Sequence, residues 1–362
     1  MTLSKIVITG GPCAGKSTAM SYIQNHFTQK GYTVLFVPET ATELISGGVS
    51  PVTCGTNADF QKCQFRLQLE KERVFEYAAQ TMGKKKMLIV CDRGALDNKA
   101  YMTDEEFSSV LKSLDMDEVT LRDNYDAVFH LVSAAKGAES FYTKANNSAR
   151  SESVEEAARL DDKLIYAWTG HPHLRVIDNS TDFSDKLNRL ITEISAYLGE
   201  PEPMETERKF LIDYPDIDAL ENMPSCTRVE IIQTYLKNNK NVERFVRQRG
   251  SNNSFIYYLT LKKPVENGHP IEVERRLTPT EYLSLLMEVD TEKRQIRKTR
   301  YCLTHNNLYH IIDVYPFWKD KAILKIKMSD TASEPQIPEM IKIIKDVTDS
   351  AEYTSDAIAK RS

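Results

Sequence analysis

The segment ITGGPCAGKST, at residues 8–18, constrains the fold of this chain more than any other feature of its sequence. It contains the pattern G-x-x-x-x-G-K-[ST] between an apolar stretch typical of a strand and a segment typical of a helix. Small residues let successive backbone N–H groups turn toward phosphate oxygens where the helix begins. The lysine then reaches the β and γ phosphates, and the hydroxyl that follows it ligates Mg²⁺.

This segment therefore predicts a phosphate-binding loop, in preference to a glycine-rich turn that only joins a strand to a helix. A loop of this kind binds a nucleoside triphosphate, either GTP or ATP, with Mg²⁺ as its cofactor. The residues expected to bind the nucleotide are Gly10, Gly11, Ala14, Gly15, Lys16, Ser17 and Thr18.

Strands and helices alternate through the first half of the chain. Strands are predicted in KIVITG, TVLFVPE, KMLIVCD, AVFHLV and LRVID. Helices are predicted between them, including one from about residue 16 to residue 30 and a long one from about residue 57 to residue 82. Such alternation implies a parallel sheet with helices on both faces, which is the α/β class.

The segment GEPEPM at residues 199–204 marks a boundary, because a glycine at a helix end is followed closely by two prolines. We place one domain at residues 1–199, a linker at residues 200–204 and a second domain at residues 205–362. Beyond the linker, alternating segments such as VERFVRQRG and SFIYYLTLKK are separated by NN and NG turns, which predicts an antiparallel β-barrel or tunnel. One helical segment, TPTEYLSLLMEV, interrupts these strands, so the second domain is expected to be α+β.

Charge and length narrow the class of protein. The chain has 362 residues and a net charge of −5, so its overall charge gives no reason to expect nucleic acid or a membrane surface as a partner. No stretch approaches about 18 uninterrupted apolar residues, so no transmembrane span is expected. Six cysteines are scattered without a CxxC pair, which suits reduced thiols in the cytoplasm.

Two predicted strand ends carry candidate catalytic residues. Asp92 ends the strand MLIVCD, at the carboxyl edge where such sheets place their ligands. We expect it to hold Mg²⁺ with Ser17, directly or through water, and we expect Arg93 beside it to meet a substrate anion. Glu39 ends the strand in VPET and is the candidate general base for an accepting hydroxyl. The alternatives, an ordinary strand-end turn at CDRG and a helix cap at Glu39, stay open at this point.

The segment SAAKGAESFYTKANNSARSES, residues 133–153, is polar and too long for a simple connection. It is typical of a mobile lid that carries Arg150, with Arg159 on the next helix, to clamp the phosphates during transfer. The alternative for either arginine is a solvated surface position.

The motifs of the first half resemble a known family. ITGGPCAGKST, VPETATELI, CDRGALD and AWTGHPHLRVIDN are similar to the NadR-type P-loop domain, a relative of nucleoside and nucleotide kinases, over about residues 4–198. In nucleoside kinases an acid after the second strand and an Asp-Arg pair after the third serve acceptor binding and catalysis. The resemblance therefore implies catalytic roles for Glu39, Asp92 and Arg93. The N-K-x-D motif of the Ras-like GTPases does not occur in the sequence, so the residues do not decide between GTP and ATP.

In the second half, charged residues two positions apart occur in ETERKF, FVRQRG and IRKTRY. Side chains two apart share one face of a strand. Inward carboxylates bind divalent metals, and inward lysine and arginine bind phosphate oxygens, so a closed sheet can hold a metal–triphosphate complex. The alternative is the solvated face of an ordinary antiparallel sheet.

ETERKF also resembles the ExExK opening of the CYTH domain, the fold of adenylyl cyclase-type and thiamine-triphosphatase-type enzymes, whose antiparallel tunnel is lined by charged side chains. The resemblance covers about residues 204–361 and continues through IIQTYL, FVRQRG, YLTLKK, IEVERRL, IRKTRY and IIDVY. It implies a metal site at Glu205, Glu207, Glu272 and Glu274. It also implies an anion site at Lys209, Arg247, Arg249, Lys262, Lys298 and Arg300.

One segment departs from the CYTH pattern. Tunnel enzymes show an acidic pair on a late strand, in a context like LEIE, where this chain has AILKIKM with Lys325 and Lys327. Two cations repel a metal and attract phosphate, so both lysines join the predicted anion site. We therefore expect the tunnel to bind an anion in preference to hydrolysing it with a metal.

The order of the two domains resembles the family of the TRPL translocation-defect protein, which is associated with GTP binding and phosphatidic acid binding. It implies a partner that is a phosphorylated small molecule or an anionic lipid head group. We therefore expect a nucleotide-binding protein with slow hydrolysis, whose tunnel binds a nucleotide polyphosphate, a triphosphate or the head group of phosphatidic acid. The alternatives are a nucleoside-type small-molecule kinase and a metal-dependent tunnel triphosphatase.

Overall fold

The computed structural model describes residues 2–141, 153–200, 206–239, 242–251, 254–263, 271–328 and 334–360. At residues 141, 206, 239, 263, 271–273 and 327 it describes the backbone alone. Arg150 and Glu205 therefore lie outside the described residues, and Glu272 and Lys327 are described only as backbone. The chain divides into two compact units, Met1–Leu198 and Gly199–Ser362.

Within the described residues, the first unit contains a five-stranded sheet in the order β2-β3-β1-β4-β5, and every neighbouring pair is parallel. Its strands are β1 (Thr2–Thr9), β2 (Thr33–Val37), β3 (Lys86–Asp92), β4 (Ala127–Leu131) and β5 (Leu174–Ile177). Its helices are α1 (Lys16–Gln29), α2 (Thr40–Ser46), α3 (Asn57–Met82), α4 (Asp104–Ser113), α5 (Glu118–Arg122), α6 (Val154–Trp168) and α7 (Phe183–Tyr197).

Helices cover both faces of this sheet. Ile6 of β1 lies in a buried cluster with Ile23 of α1 and Leu190 of α7. The neighbouring Lys5 points to the opposite face, because successive side chains of a strand alternate, and its ammonium pairs with Glu72 of α3 at 3.3 Å. The predicted α/β class, with a parallel sheet covered by helices, is confirmed.

The second unit contains, within the described residues, a nine-stranded antiparallel sheet in the order β10-β9-β8-β7-β11-β12-β13-β6-β14. Its first strands are β6 (Thr206–Asp213), β7 (Cys226–Asn239), β8 (Val242–Ser251), β9 (Ser254–Lys263) and β10 (Ile271–Leu277). The others are β11 (Ile296–His305), β12 (Leu308–Val314), β13 (Lys321–Met328) and β14 (Ile343–Asp346). Its helices are α8 (Ile217–Glu221), α9 (Pro279–Leu285) and α10 (Ser355–Ala359).

The predicted closed barrel is wrong in one respect, because the hydrogen-bonded ladder is open between β10 and β14 in the described residues. Closure would require the two edge strands, β10 and β14, to pair with each other. Both edges of β6 are occupied, one by β13 and the other by the short strand β14. A separate antiparallel sheet is confirmed, and its hydrogen bonds do not form a closed ring.

The open sheet is nevertheless strongly curled. Tyr235 of β7 and Phe245 of β8 belong to the same buried cluster as Leu211 of β6 and Ile323 of β13. The cluster also contains Ile296 of β11, so it is continuous across neighbouring strands. Lys262 of β9 lowers the pKa of Lys209 of β6, although six strand spacings, about 29 Å in a flat sheet, separate these two strands. The sheet is therefore curled toward the face that carries both lysines.

In the part of the chain that the structure describes, no helix combines the length and the apolar character needed to cross a lipid bilayer.

Candidate functional site

The phosphate-binding loop (residues 10–17) connects β1 to α1. Gly15 precedes the helix at a φ of +91°, in the left-handed region that favours glycine. Lys16 is the first residue of α1, and its side chain reaches back over the loop to donate from Nζ to the Gly10 carbonyl oxygen at 3.2 Å. The lysine is thus held beside the turn of backbone that is expected to surround a phosphate.

The Lys16 side chain is half-buried and lies among other charges. Burial lowers its pKa, and the positive charge of Arg93 lowers it further. The carboxylates Asp92, Glu39 and Asp97 raise it, and the resulting pKa is about 8. A bound anion would compensate the ammonium for its lost hydration, so this position favours a negatively charged ligand.

Asp92, the last residue of β3, is suited to hold a metal ion. Its Oδ1 atom is buried and accepts no hydrogen bond among the described residues. Burial raises the pKa of Asp92, whereas Lys16 lowers it and Glu39 raises it. A buried carboxylate oxygen without a donor is stabilised by a cation, and Mg²⁺ prefers oxygen ligands. Ser17 and Thr18 expose their side chains at the start of α1, so the available hydroxyl and carboxylate donors fit Mg²⁺.

Glu39 and Arg93 form an ion pair at the ends of β2 and β3. Arg93 Nε donates to Glu39 Oε1, and the Thr42 hydroxyl donates to Glu39 Oε2 at 2.6 Å. Burial raises the pKa of Glu39, but Arg93, the Thr42 bond and Lys16 together lower it to about 2. Glu39 occupies the N-cap position of α2, yet its side chain makes no capping hydrogen bond. The carboxylate therefore anchors Arg93 and, with so low a pKa, is a weak general base.

Asp97, which sequence reasoning missed, holds Arg93 from the other side. Its Oδ2 atom lies 3.5 Å from Arg93 Nη1 and accepts a hydrogen bond from the Thr9 hydroxyl at 2.7 Å. Its Oδ1 atom accepts a hydrogen bond from the indole of Trp168. The motif CDRGALD contains this aspartate, but nothing in the motif reveals that β1 and α6 each supply it with a donor.

Asp161 of α6, also missed, supports the loop from beneath. Its Oδ1 atom accepts hydrogen bonds from the backbone N–H groups of Gly11 at 2.9 Å and Ser133 at 3.0 Å. The same oxygen lies 3.0 Å from Nε2 of His130. Burial raises the pKa of Asp161, but His130, Lys136 and the Gly11 bond lower it to about 2. A Cβ atom on Gly11 would lie 2.8 Å from this oxygen, so only glycine allows the loop to approach so closely.

Lys186 of α7 holds the other side of the same loop. Its buried ammonium donates to the carbonyl oxygens of Val132 at 2.7 Å and Ala14 at 3.3 Å. It also donates to Oδ1 of Asn179 at 2.7 Å. Burial lowers the pKa of Lys186 to about 8, against the raising effect of Asp161. Ala14, predicted to bind nucleotide, thus has its carbonyl group directed toward the protein interior.

The structure brings four of the predicted residues of the first unit together and leaves Arg159 apart from them. Arg159 is exposed on α6, and no hydrogen bond or ion pair links it to the loop within the described residues. The clamping roles of Arg159 and Arg150 stay predictions. Four residues meet within electrostatic reach at the carboxyl edge of the sheet, namely Lys16, Glu39, Asp92 and Arg93.

In the second unit, the charged residues predicted for the tunnel share one face of the sheet, which we call the inner face. Residues paired across antiparallel strands point to the same side. The register pairs Lys209 of β6 with Lys325 of β13, and the backbone of Lys327 with that of Glu207. It also pairs the backbone of Glu272 with Lys262. The charged residues that it places on the inner face include Lys209, Arg247, Arg249, Lys262, Lys298, Arg300, Lys325, Glu207, Glu274 and Asp313.

Asp313 organises one cationic group on the inner face. It accepts two hydrogen bonds from Arg300, at 2.7 and 2.9 Å, and one from Lys298 at 2.7 Å. Burial raises the pKa of Asp313, but Arg300 and Lys298 hold it far below its ordinary value. Burial also lowers the pKa of Lys298 to about 7, against the raising effect of Asp313. One buried carboxylate thus holds two cationic side chains in place, so the group of three carries more positive than negative charge.

A second cationic group lies where β13 meets β6. Lys325 Nζ lies 3.0 Å from Glu207 Oε1, so a carboxylate predicted to bind metal is paired with a lysine. Burial lowers the pKa of Lys209, and Lys325 and Lys262 lower it further. Within the described side chains, the Lys209 ammonium has no carboxylate within ion-pair distance. The effect of Lys262 of β9 on Lys209 of β6 also indicates that the curled sheet brings distant strands within electrostatic reach.

Glu274, another predicted metal ligand, is paired as well. Its Oε1 atom lies 3.0 Å from Arg247 Nη1 and accepts a hydrogen bond from the Thr260 hydroxyl at 3.0 Å. Arg249, two residues from Arg247, is buried. No group of three or more His, Cys, Asp or Glu residues in the described part of the chain is arranged to hold a metal ion. Of the four predicted metal ligands, Glu207 and Glu274 are thus paired with cations, and the side chains of Glu205 and Glu272 are not described.

Apolar side chains fill part of the inner face. The cluster that contains Leu211 and Phe245 also includes residues of the carboxyl-terminal segment. Lys209 precedes Leu211 in β6 and lies on one side of this cluster. Lys262 of β9 pairs with Glu243, which precedes Phe245 in β8, so the register places charged residues on both sides of the cluster.

Comparison with known proteins gives a match for the first unit. A family model described as an AAA domain matches residues 5–186, from β1 into α7. The matched region contains the phosphate-binding loop and its supports Asp161 and Lys186, and it indicates nucleotide binding. No curated protein matches the sequence.

Two crystal structures of the protein NE1496 are similar to part of the chain. One, described as a hypothetical protein, is 25% identical with a TM-score of 0.31, and the match covers 43% of this chain and 97% of that one. The other, described as the inorganic triphosphatase NE1496, is 24% identical with a TM-score of 0.31, and the match covers 44% of this chain and 95% of that one. TM-scores this low carry no argument about fold or activity, so the interpretation of the second unit rests on its own strands. The NadR-type, CYTH and TRPL resemblances stay predictions.

Proposed function

The chain belongs to the AAA domain family through residues 5–186, and on this basis we propose that its first unit binds a nucleoside triphosphate, GTP or ATP, with Mg²⁺. The observation that carries the proposal is the half-buried ammonium of Lys16, held over a glycine loop at the start of a helix. Such a position combines a cation, backbone N–H groups and the positive end of the helix dipole, and all three attract phosphate.

Ser17 and Asp92 would hold the metal ion. When bound, Mg²⁺ would neutralise negative charge on the phosphate oxygens. Lys16 would bind the terminal phosphates, and Asp161 and Lys186 would keep the loop in the shape that receives them. Arg93, fixed between Glu39 and Asp97, presents a cation at the edge of the same site.

We propose that hydrolysis is slow and that the first unit acts mainly by binding. Glu39 is the candidate base, but its pKa of about 2 makes it a poor proton acceptor at neutral pH. The kinase alternative requires Glu39 to leave Arg93 when an acceptor binds. Glu39→Gln would abolish phosphoryl transfer in a kinase, whereas a binding protein would keep its nucleotide affinity in this variant.

Nucleotide binding can be tested by titrating the full chain with GTP and ATP in the presence of Mg²⁺. We expect Lys16→Ala to lower the affinity of the loop at least tenfold, since a charge-assisted hydrogen bond contributes about 1.5–3 kcal/mol. Lys112→Ala, at an exposed position in the last turn of α4, is the matched control and should leave the affinity unchanged. Equal affinities in wild type and Lys16→Ala would place nucleotide binding outside the loop.

For the second unit we propose that the inner face binds a phosphorylated anion without a metal. The supporting observation is that Lys325 pairs with Glu207 while Lys209 beside them has no described carboxylate partner. A phosphate group would supply the negative charge that this group of cations lacks. The ligand is a nucleotide polyphosphate, inorganic triphosphate or the head group of phosphatidic acid, and the TRPL-family resemblance supports the last of these.

This proposal is best tested in the Lys16→Ala variant, in which the loop does not compete. Inorganic triphosphate and vesicles with and without phosphatidic acid serve as probes, each in EDTA and in Mg²⁺. We expect binding in EDTA, and a decrease of about tenfold or more on Lys209→Ala. Release of phosphate from triphosphate that requires Mg²⁺ or Mn²⁺ would instead support the triphosphatase alternative.

A further inference from the structure

An aromatic ring lies directly against the phosphate-binding loop. Phe183, the first residue of α7, is so close to Gly15 that a Cβ atom on that glycine would lie 2.5 Å from Cε2 of the ring. The side chain is nevertheless 48% exposed. Within the described residues, no ring contact or cation–π contact involves Phe183. One edge of the ring thus contacts the loop while much of its surface faces solvent.

The segment before Phe183 is firmly held, so the ring has a defined position. Asn179 donates from Nδ2 to the carbonyl oxygens of Ser133 and Lys136, each at 2.8 Å, and accepts a hydrogen bond from Lys186. Asp182 accepts a hydrogen bond from the Asp185 amide and so caps α7. Because β5 is parallel to its neighbour β4, which is parallel to β1, this segment leaves the sheet at the same edge as the loop.

An exposed ring beside the loop can accept a ligand group that is flat, apolar on its faces and close to the phosphates. A nucleotide carries such a group, because its base is joined to the phosphates through one ribose. Stacking of a base on an aromatic side chain contributes about 1–3 kcal/mol, and it occurs with every base since all have a π face. The position beside Gly15, one residue before the lysine that meets the phosphates, places the ring within reach of a nucleotide bound there.

We propose that Phe183 is the stacking platform for the base of the nucleotide held by the loop. The proposal rests on the proposed function of the first unit. It adds a binding position for the base, which is the part of the nucleotide that the loop motif does not contact. Purines present a larger face than pyrimidines, so the platform favours ATP and GTP over CTP and UTP. It does not distinguish adenine from guanine, because a ring face reads no hydrogen-bonding groups.

The experiment separates the base from the phosphates by competition. Labelled ATP is bound to the full chain with Mg²⁺, and only the component that disappears in Lys16→Ala is attributed to the loop. Unlabelled ATP, GTP, CTP and inorganic triphosphate then compete for this component. The chains compared are wild type, Phe183→Ala, Phe183→Leu, Phe183→Trp and Tyr77→Ala. Phe183→Leu retains apolar contact with Gly15 but has no ring, and Tyr77, 69% exposed on α3, is the matched control.

We expect Phe183→Ala and Phe183→Leu to weaken ATP and GTP binding about 5- to 100-fold. Competition by inorganic triphosphate should change less than twofold, and the preference for ATP over CTP should diminish. Phe183→Trp should restore wild-type affinity, and Tyr77→Ala should resemble wild type. Equal weakening of nucleotide and triphosphate would overturn the proposal, because the ring would then only pack against the loop.

Unchanged nucleotide affinity in Phe183→Ala and Phe183→Leu would also overturn it while leaving nucleotide binding by the loop intact. If Lys16→Ala removes no component of ATP binding, the proposed function of the first unit fails, and this result is distinct from both others.

Discussion

The loop of the first unit and the inner face of the second attract phosphate by different means. The loop relies on backbone N–H groups and one lysine, and its supports Asp161 and Lys186 bind backbone atoms of the loop from behind. On the inner face, described cations such as Arg300 and Lys325 are fixed by carboxylates of the same face. A ligand of the loop therefore meets groups that are already directed at it, whereas a ligand of the inner face competes with internal ion pairs.

This difference predicts different sensitivities to mutation. Removing a support of the loop should mainly weaken binding, because Asp161 and Lys186 hold backbone atoms of the loop in place. Removing a carboxylate of the inner face should destabilise the unit, because it leaves buried cations without a counter-charge.

The largest effect is expected for Asp313→Ala. Loss of this carboxylate leaves Lys298 and Arg300 without their described partner on the inner face. Breaking a buried ion pair in this way typically costs about 3–5 kcal/mol in free energy of unfolding. The second unit can be followed by the fluorescence of Trp318 in a Trp168→Phe background, since the chain has 2 tryptophans, one in each unit.

Asp349→Ala, at an exposed position, is the control for Asp313→Ala and should change the free energy of unfolding by less than about 0.5 kcal/mol. A similarly small change in Asp313→Ala would mean that the cations of the inner face do not depend on their carboxylate, and the contrast with the loop would disappear.

The next largest effect is expected for Asp161→Ala. The backbone N–H groups of Gly11 and Ser133 lose their acceptor, and an unsatisfied buried donor costs about 1–3 kcal/mol, so the free loop should relax and ATP binding should then have to restore its shape. We expect ATP affinity to fall about 5- to 100-fold while Trp168 fluorescence still shows a cooperative unfolding transition. Asp162→Ala removes the adjacent carboxylate, which pairs with Lys136 at 2.7 Å, and should leave affinity within twofold of wild type. Equal affinities in Asp161→Ala and Asp162→Ala would show that the loop holds its shape without α6.

The residues that support the loop show which part of the site could not be predicted from the sequence. Lys16, Ser17 and Gly15 lie in one short motif whose spacing is fixed by the path of the backbone around a phosphate, so the sequence alone locates them. Asp161 is separated from Gly11 by 150 residues and meets it only because α6 packs beneath the loop. No local pattern marks such a residue, since an aspartate in the middle of a helix is equally compatible with exposure to solvent.

In the second unit, alternation along each strand predicts which residues share a face, and the register of β6 and β13 agrees with that prediction. The residues that pair across neighbouring strands could not be predicted, because their pairing depends on the order of the strands in the sheet. The contact of Glu207 with Lys325 arises only because β6 and β13 are neighbours, although 118 residues separate the pair. Closure of the barrel was predicted wrongly for the same reason, since alternation along a strand does not reveal that β10 and β14 are the edge strands of the described sheet and do not pair with each other.

A smaller effect is expected from pH at the loop. Phosphate binding uses the charged form of Lys16, whose pKa in the folded chain is about 8. ATP affinity should therefore fall as the pH rises from 8 to 9.5, by at most about tenfold per unit for one proton. Lys16→Arg keeps its charge throughout this range, so its affinity should vary less with pH.

The contribution of Lys16 to the free energy of unfolding changes with pH in the opposite direction to ATP affinity. In the unfolded chain Lys16 has its ordinary pKa of 10.5, so between pH 8 and 10.5 the unfolded state binds more protons than the folded state. The contribution of Lys16 to the free energy of unfolding therefore increases with pH across this window. A wild-type affinity that is flat from pH 7 to 9.5, like that of Lys16→Arg, would contradict a lowered pKa at this position.

The smallest effect is expected from removing a charged side chain on the face of the sheet opposite the inner face. Arg208 lies between Glu207 and Lys209 in β6, so its side chain points away from the inner face, and it pairs with Asp346 of β14 at 2.7 Å. Arg208→Ala should cost no more than about 1 kcal/mol in free energy of unfolding, as is usual for a solvated ion pair. Measured with inorganic triphosphate in the Lys16→Ala background, it should leave affinity within twofold, whereas Lys209→Ala lowers it about tenfold or more. If both substitutions weakened binding equally, the anion would be responding to the net charge of β6, and a defined site on the inner face would be unnecessary.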